Sequence, residues 1–156
     1  MTNNTDPNIA LMPLLATVKD AVGAELHARL VALGFPEIRP AHGCVFGNID
    51  GEGSRLTELA ERSGFTKQSV GEAVADLERL GFVERVPDPA DGRAKIIRLT
   101  PHGAEALAAA AEIFADIERR FAESVGPERY DAFRATLAEL YALSRPATEP
   151  LRRAAA

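Results

Sequence analysis

The chain is poor in the features that announce several common protein classes. It has one cysteine, Cys44, among 156 residues. That excludes an intrachain disulfide and any zinc site built from several thiolates, and it fits a reducing compartment. No apolar run approaches the roughly 18 residues that a bilayer-spanning helix requires. The N-terminus MTNNTDPN lacks both the basic start and the apolar stretch of a secretory signal, so a cytoplasmic location with no membrane partner is expected. Gly-x-Ser-x-Gly and Gly-rich phosphate loops are missing, and the histidines His27, His42 and His102 are scattered. No local motif joins a nucleophile to a base, so neither an enzyme nor a bound cofactor is expected. Basic charge is also short: 18 Lys+Arg against 23 Asp+Glu give a net charge of -5 and a pI near 5.3. Taken alone, that balance is the reverse of the usual nucleic-acid footprint.

What is present suits one domain over 1–156, since 46% of the residues are hydrophobic and a chain of this length buries about two-thirds of its unfolded surface. No long repeat occurs, and the ending RPATEPLRRAAA reads as a flexible tail over 145–156. From Asn8 to about Leu33, the apolar residues Leu11, Leu15, Val18, Val22, Leu26 and Leu30 recur every three or four positions, which predicts a long amphipathic helix stopped by Gly34. Pro13 either kinks this helix or lies in its first turn, and Asp6-Pro7 offers an earlier start. A second helix is expected from Pro40 through Cys44, Val45, Phe46 and Ile49, ended by Gly51-Glu52-Gly53.

From Ser54 the rhythm tightens. Leu56, Leu59 and Ala60 make a short helical face behind a cap at Thr57, and Ser63-Gly64 breaks it. Thr66 then caps a helix whose apolar set is Val70, Ala73, Val74, Leu77 and Leu80, with Phe65 and Val70 spaced as a hydrophobic staple. Two helices across so tight a glycine turn have the spacing of a helix-turn-helix. After Gly81 the period changes to two: Phe82–Val86 and Arg93–Leu99 read as strands around the turn-rich Pro87–Gly92. Thr100-Pro101 reads as the start of a long helix with Leu107, Ala111, Phe114, Ile117 and Phe121 on one face. Gly126-Pro127 separates it from a last helix carrying Phe133, Leu137, Leu140 and Tyr141. The class is mainly α with a small β-hairpin wing: a winged helix-turn-helix over 40–100 with a helical region over 8–34 and 101–144.

The block LTELAERSGFTKQSVGEAVADLERLGFVERVPDPADGRAKIIRLTPHG, residues 56–103, closely resembles the MarR family of bacterial transcriptional regulators. The DPADGRAK wing with Asp91 and Arg93 is its most specific element, and LERLGFVER and RLTPHG agree in order and spacing. The resemblance implies a homodimer in which the first helix and the last two interlock with their partners. Independently, helices of about 20 residues at both ends carry more apolar face than one small core can use.

A helix of this kind meets base edges with its N-terminal turns. Thr66, Lys67, Gln68, Ser69 and Glu72 are therefore the expected DNA-binding residues, with Gly71 leaving room for close approach. Gln68 can read adenine through a paired donor and acceptor, and Lys67 can reach guanine or phosphate. Glu72 departs from the basic or neutral residue that the resemblance suggests. It either accepts from cytosine N4 or is a solvated position repelled by Asp76. Arg93 matches the family arginine that enters the minor groove, Asp91 would orient it, and Lys95 and Arg98 suit phosphates.

The resemblance also implies a repressor on a pseudo-palindromic operator, released by a small aromatic or phenolic effector, with His42, Cys44 and Phe46 as candidate lining. The same three residues also fit a plain packing helix with a buried thiol. A redox- or metal-responsive regulator and a winged helix that binds proteins are the alternatives. No His/Cys pair has helical ligand spacing, so no metal is expected. The charge of -5 divides as -2 over 1–50, -1 over 51–100 and -2 over 101–156, whereas 62–71 and 85–98 are each +2. Acidity thus spares the reading segments and predicts weak non-specific affinity.

Overall fold

The computed structural model describes residues 9–144. The expected tail at 145–156 and the Asp6-Pro7 start lie outside the described residues. Helix α1 spans Leu11–Ala32, which puts Pro13 inside its first turn, and Gly34 ends it with φ +92°. Of its expected apolar face only Leu30 is buried. The second helix is much shorter than expected: a 3₁₀ turn at Pro40–His42 leads into a single turn, α2, at Gly43–Phe46. The Asn48 side chain donates to the Cys44 carbonyl at 3.0 Å, taking the acceptor that a continuing helix would use.

The third helix, α3, covers Leu56–Ser63 and is capped from Arg55 rather than Thr57: Glu58 accepts the Arg55 backbone N–H at 2.8 Å. Ser54–Arg55 form a strand, β1, that the periodicity does not reveal. Helix α4 spans Lys67–Arg79, strand β2 Val83–Asp88 and strand β3 Asp91–Leu99. The antiparallel sheet runs β1-β3-β2, so the wing has three strands. Its hairpin is tighter than expected, with only Pro89 and Ala90 between the strands.

Helices α5 (Pro101–Val125) and α6 (Pro127–Ser144) follow, separated by Gly126. One core joins α2, α3, α4, the sheet and part of α5, through Val45, Leu59, Val70, Val74, Leu77, Phe82, Ile97 and Ile113. Ion pairs Arg29–Asp116 (2.7 Å) and Arg120–Glu25 tie α1 to α5. Of the stripe expected on α5 only Ile117 is buried, together with Gly103, Ala106 and Ile113, whereas Phe114 and Phe121 face out. Helix α6 buries no residue. Among the described residues, no helix is long and apolar enough to cross a membrane.

Candidate nucleic-acid interface

The turn between α3 and α4 hinges on Gly64, whose φ of +72° is left-handed and favours glycine. Thr66 then caps α4 as expected, its Oγ1 accepting the Ser69 N–H at 3.1 Å. The expected staple does not form a buried contact: Val70 is fully buried, but Phe65 stays 60% exposed. Burial of Val70, Ala73, Val74 and Leu77 turns the opposite face of α4 outward. There Lys67, Gln68, Ser69 and Glu72 are all exposed, and Gln68 Nε2 donates to Glu72 Oε1 at 3.2 Å. Asp76 does not face Glu72 as a bare charge. It accepts from Arg79 at 2.6 Å, from His42 at 2.9 Å and from Arg39, which hold its carboxyl well below the usual aspartate range.

The wing is shaped by a register shift. Pro87 pairs with Lys95, but Asp88 pairs with Asp91, so Gly92, Arg93 and Ala94 face no partner residue on β2. Bulges of this kind bend a strand and re-aim its side chains. Asp91 Oδ1 accepts the Arg93 backbone N–H at 3.1 Å, so Asp91 fixes the backbone of Arg93 rather than its guanidinium. The base of the turn is fixed by Arg55, which no sequence pattern singles out. Arg55 Nε donates to Asp88 Oδ2 at 2.7 Å, and Asp88, only 7% exposed, also accepts the Ala90 N–H at 2.8 Å. The Ala90 N–H and then Arg55 lower the Asp88 pKa.

Arg98, expected on phosphate, donates twice to its cross-strand partner Glu84, at 2.7 and 3.1 Å. Most other cations are similarly engaged. Among the described residues, the Lys and Arg side chains without an ion-pair partner are Lys67, Arg93, Lys95 and Arg129. The first three lie on the outward face of α4 and on the wing.

His42 and Cys44 sit beside α4, next to Ser69 and Glu72. His42, 1% exposed, accepts the Arg39 N–H on Nδ1 at 3.2 Å and donates from Nε2 to Asp76. Burial lowers its pKa, with Asp76 opposing. Cys44 donates to the Ala41 carbonyl at 3.2 Å, and burial raises its thiol pKa, which suppresses the thiolate. Both line an open hollow of about 320 Å³ with Arg39, Phe65, Ser69, Glu72 and Asp76, so it borders the exposed face of α4, whereas Phe46 lies outside it, edge-on to Phe82. The other histidines are apart: His27 donates to the Ile38 carbonyl and His102 stacks on Phe82 at 4.5 Å. Among the described residues, no group of three His, Cys, Asp or Glu could hold a metal ion.

A capped helix behind a tight turn, followed by a three-stranded wing, defines the winged helix-turn-helix class, which presents one helix and one hairpin to duplex DNA. The model of the MarR family matches residues 38–94. The transcriptional regulator HosA of Escherichia coli O111:H- is 30% identical over 95 residues, covering 61% of this chain and 70% of that protein. The transcriptional repressor CouR, solved bound to a 23-mer DNA duplex, superposes with a TM-score of 0.70 at 26% identity, covering 85% of this chain and 92% of that one. The PcaV regulator from Streptomyces coelicolor, solved with its natural ligand, gives 0.69 at 20% identity over 90% and 98% of the two chains. The chain belongs to the MarR family and is a DNA-binding transcriptional regulator, not an enzyme.

Proposed function

We propose that the chain acts as a homodimeric repressor that grips a pseudo-palindromic operator and is released by a small aromatic or phenolic effector. The observation that carries the DNA reading is the placement of free cations. Lys67, Arg93 and Lys95 lack an acidic partner, while most basic residues elsewhere are neutralised within the fold. Lys67 and Gln68 serve the major groove, Thr66 and Ser69 hold the helix end toward the backbone, and Arg93 enters the flanking minor groove with Asp91 bracing its backbone. Lys95 meets phosphate, and Arg98 does so by exchanging Glu84 for the duplex.

The dimerisation region comprises α1, α5 and α6. Its support is apolar surface without a partner: Leu11, Val18, Phe114, Phe121, Phe133, Leu137 and Leu140 are exposed in the single chain. For the effector, the hollow beside His42 and Cys44 supplies apolar walls and the Arg39 guanidinium, which would exchange Asp76 for an anionic ligand, and CouR and PcaV supply the analogy of a repressor and a ligand-bound regulator.

The test is selection of binding sites from the protein's own genomic DNA, followed by titration of the winning duplex with simple phenolic carboxylates. The expected result is an inverted repeat bound by two chains and released by at least one such compound. Salt-sensitive binding with no sequence preference would overturn the operator reading, and a complex indifferent to every compound would overturn the effector reading.

A further inference from the structure

The outward face of α4 has few groups left to offer a base. Thr66 and Ser69 bond to each other through their hydroxyls at 2.9 Å, and Thr66 also accepts the Ser69 N–H, which leaves the pair one free hydroxyl proton. Beside that one hydroxyl, the longer side chains that remain are Lys67, Gln68 and Glu72. Because Gln68 Nε2 donates to Glu72 Oε1 at 3.2 Å, the amide is held one way round: its Oε1 and second N–H point away from Glu72. Glu72 itself keeps its other oxygen. It is also the one acid of α4 without a cation, since Asp76 is held by Arg79 and Arg39, and Glu78 by Arg85 at 3.1 Å. An exposed Gln-Glu pair at i, i+4 adds little to helix stability, and a bare carboxylate near phosphates weakens binding. Neither consideration gives the carboxylate a use.

Base chemistry does. In the major groove a carboxylate finds favourable partners only in the exocyclic amino groups, adenine N6 and cytosine N4, whereas guanine O6 and N7 and thymine O4 repel it. Each base pair carries one such amino group, on one strand or the other. We propose that Gln68 and Glu72 work as a coupled pair that selects amino bases. Glu72 demands adenine or cytosine on the contacted strand, and its grip on the amide orients Gln68 for adenine at the neighbouring position. The inference rests on the DNA reading above and names the bases that reading leaves open.

Site selection from a random duplex library, with the wild type, Glu72→Gln, Glu72→Ala and Gln68→Ala, tests it. All three substitutions fall on exposed helix positions, and circular dichroism confirms that each variant folds. The wild type is expected to enrich adenine or cytosine about tenfold over guanine and thymine at one position per half-site. Glu72→Gln should admit guanine or thymine there, because its amide can donate. Glu72→Ala should lose the preference at that position, soften the adenine preference beside it and bind non-specific duplex more tightly. Gln68→Ala should lose only the adenine preference. The same motif from wild type and both Glu72 variants would overturn the pairing while leaving the operator reading intact. No motif from any of the proteins would overturn both.

Discussion

At Gly103 the chain leaves no room for a side chain. A Cβ there would lie 1.9 Å from the Phe82 carbonyl oxygen, which already accepts the Thr100 N–H at 3.1 Å. Gly103→Ala is therefore expected to destabilise the fold by about 2 kcal/mol or more, because backbone rather than a flexible side chain must move. A urea titration reads this as a lower midpoint. Arg93 presents the opposite case, an exposed side chain with no intramolecular partner. Arg93→Ala should leave that midpoint unchanged, weaken operator binding by about 1–3 kcal/mol and reduce the salt slope by about one. A gel-shift series at several salt concentrations checks both effects. At His42 the folded pKa is lowered, chiefly by burial, and at Asp76 by Arg79, His42 and Arg39. Both groups bind protons less readily folded than unfolded, so their stabilisation is complete above about pH 6.5 and declines on acidification. His42 loses its share first, and Asp76 and Asp88 lose theirs below about pH 4. The urea midpoint should fall from pH 7 to pH 5, and fall less in His42→Gln.

Among the elements, α4 depends on its cap. Thr66→Ala removes the acceptor for the Ser69 N–H and should cost about 1 kcal/mol, measurable by thermal or urea unfolding. That cap, like Thr100 before α5, is legible in the sequence because donor and acceptor lie three residues apart. The same locality makes α1, α4, α5, α6 and the two main wing strands readable from periodicity. What escaped is non-local. Strand β1 is two residues long and exists only because Ser54 and Arg55 pair with Ile97 and Ile96. The Arg55–Asp88 and His42–Asp76 contacts span 33 and 34 residues, with no spacing rule to betray them. Of the candidate site, residue types and order are legible, and helical and turn spacing allow the local Gln68–Glu72 and Asp91–Arg93 contacts, whereas the Arg98–Glu84 pair follows only from the strand register. The second helix is shorter than its periodicity suggests for a related reason, because periodicity does not register the Asn48 side chain competing for a carbonyl.

For the whole molecule, the main fact is how much apolar helix the single chain leaves uncovered. Helix α6 buries nothing, and a stable self-association would cover about 800 Å² on each chain. Sedimentation equilibrium is expected to show a dimer, and Leu140→Glu, which charges that surface, should shift it toward monomer. Operator affinity should fall with it, since two linked reading heads bind far more tightly than one.

The seam at Gly103 reaches further than its cost in stability. Thr100 Oγ1 donates to the Gly81 carbonyl at 2.6 Å while the Gly103 α-carbon rests on the carbonyl of Phe82. The start of α5 is thereby welded to the residues that launch the wing, with no compressible side chain between them to absorb movement. Tilt at the first turn of α5 is therefore expected to carry into β2, and in the proposed dimer the distance between the two wings would follow the angle at which the long helices cross.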